Sequence, residues 1–170
     1  MAGGTQLKGK ALLKRQQQSS TRTGPVVICD GIQTPENFGS ILRVADAMGS
    51  HSIRLLDSDL DLQNKKLSRL ARSANKHLDI QHQSLEHFLQ QRQQYSQLYA
   101  LEITSNSHDL SQARITGCDG IIVGHESQGI CPALLDSCDM ALHVPMYGIN
   151  GSMNISHALA IFLYQWRCQL

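Results

Sequence analysis

The 170-residue sequence predicts an α/β fold, in which a mostly parallel sheet carries helices on both of its faces. From Pro25 onward, short β-rich apolar runs alternate with segments of helical periodicity. The hydrophobic fraction of 41% and the charged fraction of 17% are typical of a globular chain. A chain of this length is expected to form one domain.

Six short strands are predicted, and helical segments separate them. The strands are PVVICD at 25–30, HSIRLL at 51–56, LDIQH at 78–82, LYALEI at 98–103, GIIVG at 120–124 and MALHV at 140–144. The helical segments are 35–48, about 64–75, 84–95, about 131–137 and 152–168. Alternation of this kind favours parallel strands joined by crossover helices.

The first helix has clear boundary signals. Thr34 can cap its amino end, Pro35 suits the first helical position, and Glu36 opposes the helix dipole. The apolar residues that follow share one face, and Gly49 ends the helix.

The last helix, at 152–168, is apolar on all sides. Such a helix must be buried on more than one side, and a monomer of this size rarely encloses a terminal helix so fully. A subunit interface would bury it, and a symmetric dimer is the commonest arrangement. We therefore expect a homodimer.

The basic residues are segregated, although the net charge is only +1. Residues 1–24 and 62–78 contain no acid and hold ten of the fifteen Lys and Arg residues. They are Lys8, Lys10, Lys14, Arg15, Arg22, Lys65, Lys66, Arg69, Arg72 and Lys76. This segregation predicts a phosphate-binding surface, and a solvated tail with one solvated helix face is the alternative. The first segment, rich in Gln, Ser and Gly, is expected to be a mobile arm before a domain at 25–170.

Several classes of protein are disfavoured. The five cysteines are odd in number and widely spaced, so neither a disulfide framework nor a metal site is expected. No apolar stretch has the length of a membrane span, and no secretory signal is evident, so a cytoplasmic protein is expected. The G-x-G-x-x-G, phosphate-loop and nucleophile-elbow patterns are also absent.

Three strand ends are unusually polar and rich in glycine. They read ICDGIQTPENFG after the first strand, IIVGHESQG after the fifth and HVPMYGINGSMN after the sixth. Ligand crevices in parallel sheets lie at the carboxyl ends of strands. The sequence therefore predicts a site where these three ends meet.

The same three strand ends carry motifs. NFGSILRVADAMG at 37–49 contains N-x-G-x-x-x-R before a small-residue helix, and IIVGHESQGI at 121–130 ends in V-G-x-E-x-x-G. VPMYGINGSMNISHALAIFLY at 144–164 fits [IV]-P-M-x-G-x-x-x-S-[LM]-N-[VI]-S-x-A. In this order, from about Pro25 to the last residue, they resemble the SpoU/TrmH branch of the SPOUT RNA methyltransferases.

The resemblance implies an enzyme that transfers a methyl group from S-adenosylmethionine to a ribose 2′-hydroxyl of tRNA or rRNA. It also implies a deep trefoil knot at the C-terminal end of the sheet, a homodimer that pairs the knot regions and the C-terminal helix, and no metal. We expect tRNA rather than rRNA because the chain is compact.

The catalytic set implied by the resemblance is Arg43, Asn37, Glu126 and Asn154. A guanidinium keeps its proton, so Arg43 is better suited to binding an RNA phosphate and stabilising an alkoxide than to acting as a base. Asn37 would position Arg43 or the ribose, but on one straight helix their side chains would point about 120° apart. Glu126 would hold Asn37 or Arg43. The alternatives are an exposed helix arginine and ordinary capping residues.

The cofactor residues implied by the resemblance lie mostly in the bend that precedes the last helix. They are Leu101, Gly124, Val144, Ser152 and Met153, with Met146 and Ile149 flanking the adenine. Ordinary core packing is the alternative for the apolar ones. His125, where the family commonly has Asn, is left out of the catalytic set.

RNA contacts are expected from the basic arm and from the basic residues at 65–76. Neither segment has interleaved aromatic residues, which favours recognition of phosphates and shape over base stacking. A non-catalytic RNA-binding or assembly factor with the same fold is the alternative function. An α/β enzyme that acts on a small molecule is a third.

Overall fold

The computed structural model describes residues 5–11 and 23–170. Its strands are β1 Val26–Asp30, β2 Ser52–Leu56, β3 Asp79–Gln83, β4 Leu98–Leu101, β5 His108–Asp109, β6 Gly120–Val123 and β7 Met140–His143. Its helices are α1 Pro35–Met48, α2 Lys65–Ala71, α3 Leu85–Gln90, α4 Pro132–Ser137 and α5 Ile155–Cys168. Two short 3₁₀ turns lie at Ala74–Lys76 and Arg92–Gln94.

The seven strands form one sheet in the order β3-β2-β1-β6-β4-β7-β5, and all paired strands run parallel. The predicted α/β fold with a parallel sheet is therefore confirmed, and each of the six predicted strands is present. The seventh strand, β5, was not predicted. It consists of two residues paired with Leu142 and His143 of β7, which is too short a run to show strand periodicity.

Three predicted helices are shorter in the structure. The segment at 64–75 breaks after Ala71 because Arg72 adopts φ 55° and ψ −116°, outside the helical region. The segment at 84–95 ends at Gln90 and continues as a 3₁₀ turn. The last helix begins at Ile155 rather than at 152, because the Asn154 side chain caps it by accepting a hydrogen bond from the Ser156 N–H.

The core lies on both faces of the sheet. Alternate residues of β1 enter opposite clusters: Val27 and Cys29 pack with α1, α2 and α5, whereas Ile28 packs with α3 and α4. The helices therefore cover both faces, as predicted.

Helix α5 packs one face against α1 and leaves the other open within the single chain. Leu159, Phe162 and Trp166 are buried, whereas Ile161 and Tyr164 are exposed. In the described part of the chain, no helix is both long enough and apolar enough to span a bilayer.

Candidate functional site

A cavity of about 580 Å³ opens at the carboxyl ends of β4, β6 and β7. The loops after these strands form its walls, together with the first turn of α1 and the segment that leads into α5. Its volume lies in the range of small-molecule sites. The structure thus has a cavity at the sheet edge where the sequence predicted a site.

A hydrogen-bonded chain of three polar side chains crosses one wall of the cavity. The Asn37 amide Nδ2 donates to Glu126 Oε1 at 2.8 Å, and Asn154 Nδ2 donates to Asn37 Oδ1 at 2.8 Å. Asn154 Oδ1 in turn accepts from the Ser156 N–H at 2.9 Å, so this residue both caps α5 and fixes Asn37. Three of the four predicted catalytic residues therefore meet, from segments far apart in the sequence.

Glu126 is held as a carboxylate by neutral donors. Thr34, the N-cap of α1, donates its hydroxyl to the same Oε1 at 2.9 Å. Burial alone would raise the pKa of Glu126, but hydrogen bonds from Asn37, from its own backbone and from Thr34, with the nearby His125, outweigh burial and lower that pKa. Glu126 is thus an anion that orients the amide of Asn37.

The loop after β6 is a tight turn in which two glycines are required. The backbone groups of His125 and Gly129 exchange hydrogen bonds in both directions, each 3.0 Å long. A Cβ added at Gly124 would lie 2.3 Å from the carbonyl carbon of Gly129, so only glycine lets the two segments approach this closely.

Six of the seven predicted cofactor residues line the cavity. They are Leu101, Gly124, Val144, Met146, Ser152 and Met153. The seventh, Ile149, is not part of the lining and is fully exposed at the tip of the bend, next to the exposed Tyr147.

Arg43 lies outside this cavity. It is exposed and lines an adjoining groove of about 470 Å³, which α1, the end of α2 and the first turns of α5 enclose. The helical geometry explains the separation, because positions six residues apart on a helix point about 120° apart. Ser156 and His157 also line the groove, so it lies directly beyond the Asn154 cap.

The five predicted RNA contacts at 65–76 are all exposed. Arg72 lines the same groove as Arg43. Lys66 forms an ion pair with Glu36, and the hydrogen bond from Lys66 lowers the pKa of the Glu36 carboxyl. Lys8 and Lys10 of the basic arm are exposed as well. The other three predicted contacts, Lys14, Arg15 and Arg22, lie outside the described residues.

Three polar residues that line this cavity, Glu102, Ser127 and His143, are not among the predicted site residues. Glu102 follows β4 and His143 ends β7, and both line the cavity. The predicted strand at 98–103 placed Glu102 within a strand, whereas β4 ends at Leu101. One signal in the sequence could have indicated Glu102 and His143. Both lie at the carboxyl ends of predicted strands, and these ends lie on the same edge of a parallel sheet.

His125 lies in the same loop and has a structural partner. Its Nδ1 accepts hydrogen bonds from the backbone N–H groups of Ser127 at 3.1 Å and Gln128 at 3.3 Å. These bonds hold the turn.

The residues present fit S-adenosylmethionine. Leu101, Val144 and Met153 offer an apolar wall for an adenine. The Glu126 carboxylate offers negative charge towards a cationic sulfonium, and the Glu102 side chain offers hydrogen-bond acceptors. Among the residues that the structure describes, no group of three or more His, Cys, Asp or Glu side chains could hold a metal ion.

This chain is similar to several proteins that are described as RNA methyltransferases. The 23S rRNA (guanosine(2553)-2′-O)-methyltransferase RlmP of Bacillus subtilis is 30% identical over 143 residues, which is 84% of this chain and 57% of that protein. The AdoMet-bound rRNA methyltransferase from Sinorhizobium meliloti superposes with a TM-score of 0.80 at 25% identity, over 86% of this chain and 57% of that one. A structure described as giving insight into 2-OH methylation of C/U34 on tRNA shares the fold, with a TM-score of 0.77 at 24% identity over 88% of this chain and 97% of that one.

The chain thus spans well under two thirds of the length of the curated relatives it matches, 57% for RlmP and 61% for a TrmH family tRNA/rRNA methyltransferase of Staphylococcus epidermidis. The sequence model of the SpoU rRNA Methylase family matches residues 24–164, which include β1, the three motif-bearing loops and most of α5. On that match the chain belongs to the SpoU rRNA methylase family.

Proposed function

We propose that this protein is an RNA ribose 2′-O-methyltransferase that uses S-adenosylmethionine. The observation that carries the proposal is the Glu126–Asn37–Asn154 chain, fixed at the mouth of a cavity with an apolar wall. The family match and relatives named as 2′-O-methyltransferases support it.

The residues of this chain have separate roles in the proposal. S-adenosylmethionine, when bound, supplies an electrophilic methyl group. Leu101 and the bend at 144–153 hold its adenine, and the ionised Glu126 fixes Asn37, whose remaining amide hydrogen is free to orient the ribose. Arg43 binds the neighbouring phosphate and stabilises negative charge on the 2′-oxygen as its proton passes to solvent water. The oxygen would form the new bond to the methyl group as the bond from the methyl group to sulfur breaks, and S-adenosylhomocysteine would leave.

A homodimer brings Arg43 to the reaction in this proposal, because Arg43 faces the adjoining groove rather than the cavity of its own chain. The open face of α5 supports such a dimer. His157, Ile161, Tyr164 and Cys168 are exposed at spacings of four, three and four residues, the pattern of a helix-packing seam. A second copy seated there would cover the groove that Arg43 lines.

We also propose the knot that the resemblance implies, with the bend at 144–154 threaded through the preceding loop. The basic arm at 1–24 and the exposed basic residues at 65–76 would hold RNA phosphates. Arg72, one of these residues, lines the Arg43 groove. The five free thiols and the RNA substrate support a cytoplasmic location.

The test is methyl transfer from labelled S-adenosylmethionine to RNA from a strain that lacks the gene. We expect labelling by the wild type and a fall of at least about a hundredfold in Arg43→Ala, since electrostatic stabilisers of this kind contribute on that scale. Arg114→Ala removes an exposed arginine outside both cavities and is the matched control. Separate incubations with tRNA and rRNA test the sequence prediction, which favours tRNA.

Equal labelling by Arg43→Ala and the wild type would remove Arg43 from the mechanism. Calorimetry with S-adenosylmethionine separates the enzyme from a non-catalytic RNA-binding factor, because a chain that binds RNA but no cofactor would be a scaffold.

A further inference from the structure

Glu102 is a cavity residue that the catalytic network does not use. It follows the last residue of β4, and its backbone N–H continues the sheet by donating to the Leu142 carbonyl at 2.9 Å. Its side chain is half-buried and lines the cavity on the β4 side, next to Leu101 in the chain.

Two backbone groups hold its carboxylate in one orientation. Oε1 accepts a hydrogen bond from the Ile103 N–H at 2.9 Å, and Oε2 accepts one from the Ile130 N–H at 3.1 Å. A Cβ added at Gly129, which has φ +70°, would lie 2.6 Å from Oε2, so this glycine makes room for the carboxylate. The loop after β6 is thus shaped around Glu102.

Each carboxylate oxygen still has a lone pair available. An ionised carboxylate can accept about four hydrogen bonds, and the backbone supplies two of them, one to each oxygen. No Lys, Arg or His in the described part of the chain forms an ion pair with Glu102. The remaining lone pairs form a bidentate acceptor whose natural partner is a pair of adjacent hydroxyl donors.

We infer that Glu102 binds the vicinal 2′- and 3′-hydroxyls of the cofactor ribose and so selects a ribonucleoside ligand. The inference rests on the proposed function. The ribose is bonded directly to the adenine, and the apolar wall for the adenine includes Leu101, one residue away along the chain. Glu126, hydrogen-bonded to Asn37 on the side where Asn154 lies, faces the methyl-transfer end instead.

The test measures a preference between two uncharged ligands. Affinities of adenosine and 2′,3′-dideoxyadenosine are measured by calorimetry for the wild type and for Glu102→Gln. We expect the wild type to bind adenosine at least about tenfold more tightly, and the variant to show a preference below about threefold, because a bidentate carboxylate is lost. Glu86→Gln, an exposed acid on α3, should keep the full preference.

The outcomes separate a ligand role from a structural one. If Glu102 only held the loop, Glu102→Gln would weaken both nucleosides equally and the preference would persist, which would overturn the inference. If Glu102 paired with the ammonium or sulfonium of the cofactor, the variant would weaken S-adenosylmethionine alone, which would also overturn it. If Glu102→Gln does not fold, the wild type alone still tests the inference. A wild type that binds adenosine and 2′,3′-dideoxyadenosine equally tightly would overturn it.

Binding of S-adenosylmethionine to the wild type distinguishes failure of the proposed function from failure of the Glu102 inference. A wild type that does not bind S-adenosylmethionine at all would remove the proposed function and the ribose role together. A wild type that binds S-adenosylmethionine, with an unchanged diol preference in Glu102→Gln, would remove only the role of Glu102.

Discussion

Asn37 can face only one way in this structure, because both ends of its amide have partners. Its Nδ2 donates to a carboxylate, which cannot donate in return, and its Oδ1 accepts from an amide that is itself fixed by the cap of α5. A single side chain therefore connects the start of α1 with the start of α5. The ionisation of Glu126 decides whether that connection keeps its orientation.

Asn37→Ala should raise the pKa of Glu126, since burial would then face fewer stabilising hydrogen bonds. A carboxyl whose folded-state pKa is lowered stabilises the fold above its unfolded-state pKa, and this stabilisation is lost as pH falls through the folded-state value. We expect the variant to lose about 1.5 kcal/mol of unfolding free energy at neutral pH and less in acid. Carboxyl NMR titration and urea unfolding measure both effects.

Ser40→Ala is the control for that measurement. Its hydroxyl donates to the Glu36 carbonyl within α1 and does not contact Glu126. The prediction is wrong if Asn37→Ala leaves the pKa of Glu126 where the control leaves it.

At the scale of elements, the loop after β6 forms one wall of the cavity. Gly124 and Gly129 bring two backbone segments into contact, and Ile130 then donates to the acid that follows β4. The two sides of this loop are thus held together by backbone atoms, and a hydrogen bond to the Glu102 side chain ties the loop to the end of β4.

Gly124→Ala should destabilise the protein by about 1–3 kcal/mol and abolish binding of S-adenosylmethionine, because the added methyl would overlap the backbone of Gly129. Gly117→Ala is the matched control, since its methyl would meet only the Gln97 side chain at 3.4 Å. Urea unfolding and calorimetry measure the two effects. Equal stability of the two variants would contradict this account.

How far the sequence predicts the structure differs from element to element. The predicted bounds of α1 agree with the structure to the residue, because Thr34 caps its amino end and Gly49 ends it in a left-handed conformation. The break after α2 was not predicted, since it depends on a left-handed conformation at Arg72, a residue type that gives no signal of one. Similarly, the two-residue β5 exists only through its pairing with β7.

The candidate site was predicted in part for the same reason. Asn37, Glu126 and Asn154 each follow a strand with a recognisable polar loop, so their convergence follows from the parallel order. A prediction that Glu102 lies in the cavity requires the position at which β4 ends. The ends of strands are the least certain part of a prediction from sequence patterns. The separation of Arg43 from Asn37 agrees with the angle of about 120° that helix periodicity predicts. The groove that Arg43 lines depends on how α1 packs against α2 and α5, which the sequence does not specify.

At the scale of the whole molecule, the exposed face of α5 is what a second copy would cover. Tyr164 is 62% exposed and Ile161 is 42% exposed on this face, at the centre of the proposed seam. A charge placed there would have to be desolvated in a dimer but would remain hydrated in a monomer.

Tyr164→Asp should therefore shift the protein from dimer to monomer in analytical ultracentrifugation and reduce methyl transfer to RNA. The fold should persist, because in the single chain this side chain points to solvent. Gln112→Asp places the same charge on an exposed position outside α5 and should leave the dimer intact. A Tyr164→Asp variant that sediments as the wild type does would exclude this face as the subunit contact.

The hydrogen bond between Asn37 and Asn154 joins residues that are 117 positions apart. During synthesis, the first of these residues leaves the ribosome long before the second, so the polar network cannot close until α5 has emerged. A growing chain would carry most of its sheet yet have no finished pocket. The pocket is therefore completed only after every described strand of the sheet has been synthesised.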